Sequence, residues 1–163
     1  MKVIFLDIDG VLNSLDTKET IEGYIFVSDD KIELLKEIIE QTGAKVVLSS
    51  TWRHGWYCKE YVDQPNESDK QDIRMFDALC EKLHEFNIEL LDYTGDFGPR
   101  GQEIDAWLNN WTGEPIESYV VLDDMSGREL RPHSCFHIQT SLGGGMNKKH
   151  VQRAIEMLNV KKE

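Results

Sequence analysis

Lys2-Val3-Ile4-Phe5-Leu6-Asp7-Ile8-Asp9-Gly10-Val11-Leu12-Asn13 is the stretch that decides the fold of this chain. Val3 to Leu6 is an unbroken apolar run, the signature of a strand buried on both faces of a parallel sheet. Asp7 and Asp9 stand where that run ends. An ionised carboxylate there is costly unless it has a cation, hydrogen bonds or a chemical task. Gly10 permits a sharp turn. Two carboxylates at the carboxyl end of a strand project into the crevice where open α/β sheets hold their ligands. They suit a hard divalent cation such as Mg²⁺. They equally suit a pair in which one Asp attacks phosphorus and the other protonates the leaving oxygen. The blander alternative is a helix-capping pair or surface acids.

Phe5-Leu6-Asp7-Ile8-Asp9-Gly10-Val11-Leu12-Asn13 resembles the first motif, DxDGV, of the haloacid dehalogenase-like (HAD) superfamily of Mg²⁺-dependent phosphohydrolases. Three further stretches supply partners for it. Ala44 to Leu48 is a second apolar run that ends in Ser49-Ser50-Thr51-Trp52-Arg53. Hydroxyl groups at a strand end can donate to phosphate oxygens, or simply cap a helix. Ser49 is similar to the second HAD motif, Ser50 adds a donor, and Arg53 is placed to clamp phosphate or another substrate group. Ile88 to Asp92 reads as a third strand, followed by Arg100 at the start of a helix carrying Ile104, Trp107, Leu108 and Trp111 on one side. A cation at a helix start opposes the dipole. The third HAD motif accounts for it, although most members carry Lys there and the two cations differ in shape and hydration. Tyr119 to Leu122 repeats the apolar pattern and runs into Asp123-Asp124, which resembles the fourth motif, where an acid pair completes the metal site with the first Asp and the carbonyl oxygen of Asp9.

Size and composition fit this reading. A chain of 163 residues with 40% apolar and 29% charged residues suits one globular domain over 1–163 with a sizeable core. No apolar run approaches the ~20 residues of a membrane span, and Met1 leads directly into a strand, so no membrane partner and a cytoplasmic location are expected. The net charge of −12 argues against broad binding to a nucleic-acid backbone. Cys58, Cys80 and Cys135 read as unpaired thiols outside metal spacing, His133 and His137 as structural or exposed, and no zinc site is expected.

Between the motifs, Tyr24 to Val27 reads as a short strand, where HAD proteins carry a hairpin flap. Ser28 caps a helix with Ile32, Leu35 and Ile39 inward, and Asp72 to Phe86 forms another with Phe76, Leu79 and Leu83 inward. From 54 to 71 no period is evident, so a long loop carrying Trp56, Tyr57 and Tyr61 is expected. Cys135 to Gln139 reads as a fifth strand, Leu142 to Gly145 as a turn, and Asn147 as the cap of a last helix.

The expected fold is a three-layer, Rossmann-like α/β sandwich with a mostly parallel five-stranded sheet and helices on both faces. The resemblance implies strand order 3-2-1-4-5 and a minimal cap. It also implies a phosphomonoester hydrolase working through an aspartyl-phosphate. Asp7, Asp9, Ser49 and Arg100 would be catalytic, Gly10, Ser50 and Arg53 would bind substrate, and Asp7, Asp9, Asp123 and Asp124 would hold Mg²⁺. A small phosphorylated substrate such as a nucleotide is expected first, because the acidic charge disfavours a polyanion. The LSSTWR and RGQEI strings resemble HAD domains found alone or beside RNA-repair modules, which makes a polynucleotide 3′-phosphate the second substrate class. Two other classes compete: a phospho-receiver domain, which would pair adjacent acids after its first strand, and a catalytically inactive HAD-fold binding module, which would lack a motif residue.

Overall fold

The computed structural model describes residues 1–160. Its main sheet has five strands, all parallel: β1 Lys2–Leu6, β4 Lys45–Leu48, β5 Leu90–Tyr93, β6 Ser118–Asp123 and β7 His137–Gln139, in spatial order β5-β4-β1-β6-β7. A separate two-stranded hairpin is made by β2 Thr20–Ile21 and β3 Tyr24–Ile25. The expected five-strand order and the expected hairpin are both present. Among the described residues there are five α-helices: α1 Asp29–Thr42, α2 Arg53–Tyr61, α3 Glu67–Glu85, α4 Arg100–Asn110 and α5 Lys148–Asn159. Among the described residues, no helix is long and apolar enough to cross a membrane.

Strand alternation explains the layers. Ile4 and Leu6 point to one face with Val46 and Leu48, against Ile32, Leu35 and Ile38 of α1, Leu79 and Leu83 of α3, and Val151 and Ala154 of α5. Val3 and Phe5 point to the other, against Ile104 and Trp107 of α4. Both faces of β1 are therefore covered, and each residue from Val3 to Leu6 is fully buried. That is why the opening run shows no polar alternation. Phe5 meets Trp107 edge to face at 5.3 Å, an arrangement that adds roughly 0.5–1.5 kcal/mol to the burial.

The stretch read as a loop from 54 to 71 is mostly helical. α2 occupies Arg53–Tyr61, and α3 begins at Glu67 rather than Asp72. The start of α3 is a capping box: the Asn66 side chain accepts from the Asp69 N–H at 2.9 Å, and the Asp69 carboxylate accepts from the Asn66 N–H at 3.1 Å. The polar cluster that resembles a loop is thus a helix start. α2 escapes a periodicity search because it is short and packs through Gly55, whose added Cβ would sit 2.2 Å from the Asp72 carbonyl oxygen of α3. Trp56 stacks on Phe76 of α3 with ring centroids 5.3 Å apart. Smaller shifts affect the edge strands, where β5 starts at Leu90 and β7 at His137. Ser28 holds the cap position of α1, but its side chain makes no capping bond.

Candidate active site

Strand register sets the site. Leu6 of β1 pairs with Leu48 of β4 on one side and Leu122 of β6 on the other. The next residues, Asp7, Ser49 and Asp123, therefore emerge at one level at the carboxyl edge of the sheet. Two further backbone bonds extend the pairing past the strand ends, Asp7 N–H to Leu122 carbonyl at 2.9 Å and Ser49 N–H to Leu6 carbonyl at 2.8 Å.

Carboxylate oxygens of Asp7, Asp123 and Asp124 lie within 4.8 Å of one another. Arg100, buried at the start of α4, reaches across to this group. Its Nη1 is 3.5 Å from Asp123 Oδ2 and donates to Ser49 Oγ at 3.3 Å. One guanidinium facing three acids leaves an excess of negative charge in a dry setting. Burial, then the Asp123 carboxylate, push Asp7 up to about 7, while Arg100, the Ile8 amide and the Ser50 hydroxyl pull the other way. Burial and Asp123 likewise push Asp124 upward. Asp123 Oδ2 is buried without a hydrogen-bond donor. An orphaned acceptor among hard oxygen donors fits Mg²⁺, which takes carboxylates and keeps water or substrate oxygens for its remaining positions. Asp7, Asp123 and Asp124 are the side chains positioned to hold it.

Asp9 has a different environment. Its Oδ1 accepts from Asn13 Nδ2 at 2.9 Å and its Oδ2 from Trp52 Nε1 at 3.1 Å. Its side chain stands outside the group of three acids, though its charge still reaches Asp124, and lines a crevice of about 650 Å³ with Tyr24, Ile25, Trp52, Asp72 and Asp96. Asn13 in turn accepts from the Gly10 N–H at 2.9 Å. Gly10 has φ +77°, and a Cβ there would lie 2.5 Å from Asp124 Oδ2. Only glycine fits both that backbone and the neighbouring acid. Thr140 fixes the same turn by donating to the Gly10 carbonyl at 2.6 Å. The β2–β3 hairpin contributes Tyr24 and Ile25 to the crevice wall, and its Glu22 pairs with Arg74 of α3 at 2.7 Å.

Ser49 and Ser50 are buried at the end of β4, and the Ser50 hydroxyl bonds to Asp7. Arg53 is in a different position from a phosphate clamp open to the crevice. It is only 3% exposed, and its Nη2 contacts Glu103 at 3.1 Å and Asp96 at 3.0 Å, while Nε and Nη1 have no partner. Glu103 is the residue the sequence reading missed. At 2% exposure it accepts from the Phe97 N–H at 3.2 Å and lies 3.9 Å from Arg100 Nε, linking Arg53 and Arg100. Its spacing of three from Arg100 on one helix was the available signal. Asn13, Trp52 and Thr140 carried no comparable sign, since each acts through a contact between segments distant in sequence or through a turn.

A family described as "HAD domain in Swiss Army Knife RNA repair proteins" matches residues 3–151. No curated protein matches the sequence.

Proposed function

The chain belongs to the family of HAD domains in Swiss Army Knife RNA repair proteins, and from that premise we propose that it is a single-domain, cytoplasmic, Mg²⁺-dependent phosphomonoesterase acting on a small substrate such as a nucleotide. The observation that carries this reading is the pairing of two unlike carboxylates on one turn. Asp7 lies among acids and a guanidinium, and Asp9, held by two N–H donors, faces the crevice.

In the first step Asp7 attacks phosphorus, an Asp7 oxygen–phosphorus bond forms, and the bond to the leaving oxygen breaks as that oxygen takes a proton from Asp9. In the second step Asp9 removes a proton from water, which attacks the aspartyl-phosphate and releases inorganic phosphate. Mg²⁺, when bound by Asp7, Asp123 and Asp124, offsets the charge that would otherwise set a carboxylate against a phosphate dianion. Arg100 and the Ser49 and Ser50 hydroxyls are the donors for the phosphoryl oxygens. Glu103 positions Arg100, and Arg53 supports Glu103 from behind.

The crevice supports a small substrate over a polynucleotide. Its volume of about 650 Å³ lies within the usual range for small-molecule sites. Its charged lining is Asp9, Asp72 and Asp96, with no lysine or arginine among the described lining residues. Such a surface repels a chain of phosphates. The RNA-repair description of the family favours a second reading, removal of a 3′-phosphate from a polynucleotide end. The test is phosphate release, with Mg²⁺ present or chelated, from nucleoside 5′- and 3′-monophosphates, sugar phosphates and a 3′-phosphorylated oligonucleotide, with Asp7→Asn as control. Release from monophosphates supports the first reading. Release from the oligonucleotide alone selects the second, and none from any substrate overturns both.

A further inference from the structure

A second group of metal-binding side chains lies where α2 meets α3, outside the three-acid cluster. The close approach at Gly55 brings two faces together: His54 and Cys58, four residues apart on α2, and Asp69 and Asp72, three apart on α3. Cys58 Sγ is 3.4 Å from His54 Nε2 and 3.6 Å from Asp69 Oδ1, and the same imidazole nitrogen is 3.6 Å from Asp69 Oδ1. Asp72 Oδ2 lies 3.6 Å from the same nitrogen but outside the group of three, whose ligand atoms all approach one another within 4.8 Å.

Those separations have a geometric meaning. With zinc bonds of about 2.05 Å to nitrogen, 2.1 Å to oxygen and 2.3 Å to sulfur at a tetrahedral angle, ligand atoms stand about 3.4–3.6 Å apart. The three donors from His54, Cys58 and Asp69 thus already form one face of such a tetrahedron. Asp69 is held in place for it, because its other oxygen accepts the Asn66 N–H in the capping box at 3.1 Å. Cys58 is 1% exposed, so only a buried ion could reach its sulfur. Among the described residues, neither Asp69 nor Asp72 pairs with a lysine or arginine.

We propose that His54, Cys58 and Asp69 form a second metal centre that takes Zn²⁺, its fourth position open to water, and staples α2 to α3 beside the crevice. The donor set selects the ion: thiolate and imidazole suit zinc, whereas an all-oxygen set suits magnesium. Binding forms the zinc–sulfur bond and releases the thiol proton to solvent, with no change of oxidation state. His54 and Asp72 also line the crevice, so the staple fixes the wall that faces Asp9. The proposal does not rest on the phosphatase reading.

The test is titration of the metal-free full chain with Co²⁺ in Mg²⁺-saturated buffer. Wild type gains a thiolate-to-cobalt charge-transfer absorption that saturates at one ion per chain and is displaced by Zn²⁺. Asp7→Asn keeps this signal and Cys58→Ser loses it. The His54 side chain is about half exposed, so His54→Gln folds and binds more weakly by over the roughly 10–100-fold typical of losing an outer-shell partner. The absence of the absorption in wild type, or its persistence in Cys58→Ser, overturns the site and leaves a hydrogen-bonded cluster. Unchanged affinity in His54→Gln overturns the site as well.

Discussion

Replacing Asp7 with Asn should stabilise the metal-free protein at neutral and alkaline pH, although it removes the proposed nucleophile. Burial and Asp123 raise Asp7 from 3.8 to about 7, so the folded state holds a proton there that the unfolded chain gives up near pH 4. For a carboxyl shifted upward, its contribution to stability is complete below about pH 4, declines as pH rises, and is gone above about pH 7. A shift of about three units corresponds to at most about 4 kcal/mol. The second cause is of the same order: two unit charges no more than 4.8 Å apart repel by at least about 3.5 kcal/mol at an effective dielectric of about 20. Asparagine has nearly the same shape, and its oxygen can still accept the Ile8 N–H that Asp7 receives at 2.8 Å. Chelated Asp7→Asn should therefore melt above wild type at pH 8, by up to about 10 °C for a chain of this size, and match it near pH 4. Added Mg²⁺ should narrow that gap and close it near saturation, because a ligand stabilises by about 2.7 kcal/mol at 100 times its dissociation constant and about 4.1 kcal/mol at 1,000 times, and the variant lacks one ligand. The assay is urea or thermal unfolding of both proteins from pH 4 to 8, with Mg²⁺ or chelator. A wild-type-minus-variant difference that does not change with pH, or equal stabilisation of both by Mg²⁺, would refute the reasoning.

Three further outcomes are expected. Gly10→Ala should lose roughly 1–3 kcal/mol in urea unfolding, because the residue sits at φ +77° and its Cβ would strike Asp124, and Mg²⁺ affinity should fall with it. Glu103→Gln removes the charge between Arg53 and Arg100, so stability should fall by roughly 3–5 kcal/mol and kcat should drop while Mg²⁺ binding persists. Trp52→Phe keeps the ring but removes the donor that orients Asp9; since an ordinary hydrogen bond contributes about 0.5–1.5 kcal/mol, kcat should fall by up to about tenfold, read by steady-state kinetics.

What the sequence disclosed follows the physics of each element. β1 and β6 are legible because both their faces are buried, which forces unbroken apolar runs and makes the acids at their ends conspicuous. The order of the strands and the grouping of Asp7, Ser49, Arg100 and Asp123 followed once those ends were paired with the HAD motifs. α2 was missed because nine residues packed through a glycine and aromatic rings show no 3.6-residue stripe. The beginning of α3 was missed because a capping box is built from the same polar residues as a loop. The supports of the site were hidden for another reason. Asn13 acts through the turn it closes and Trp52 through a partner 43 residues away, a distance that no local pattern records, while the three-residue spacing of Glu103 from Arg100 says nothing of its bond to Arg53, 50 residues away. The same holds for the group at the α2–α3 contact: His54 with Cys58 and Asp69 with Asp72 are each ordinary helical spacings, and only packing joins them.

The central claim is that Asp7 carries the phosphoryl group. The most direct measurement is an acid-quenched single turnover with Mg²⁺ and the best substrate of the panel, followed by mass spectrometry of the peptide containing Asp7 and Asp9. The account predicts a phosphoryl mass on Asp7 that appears before free phosphate, decays as phosphate is released, and never forms in Asp7→Asn. Phosphate release with no phosphorylated peptide at any time, or with the phosphoryl group on another residue, would contradict it.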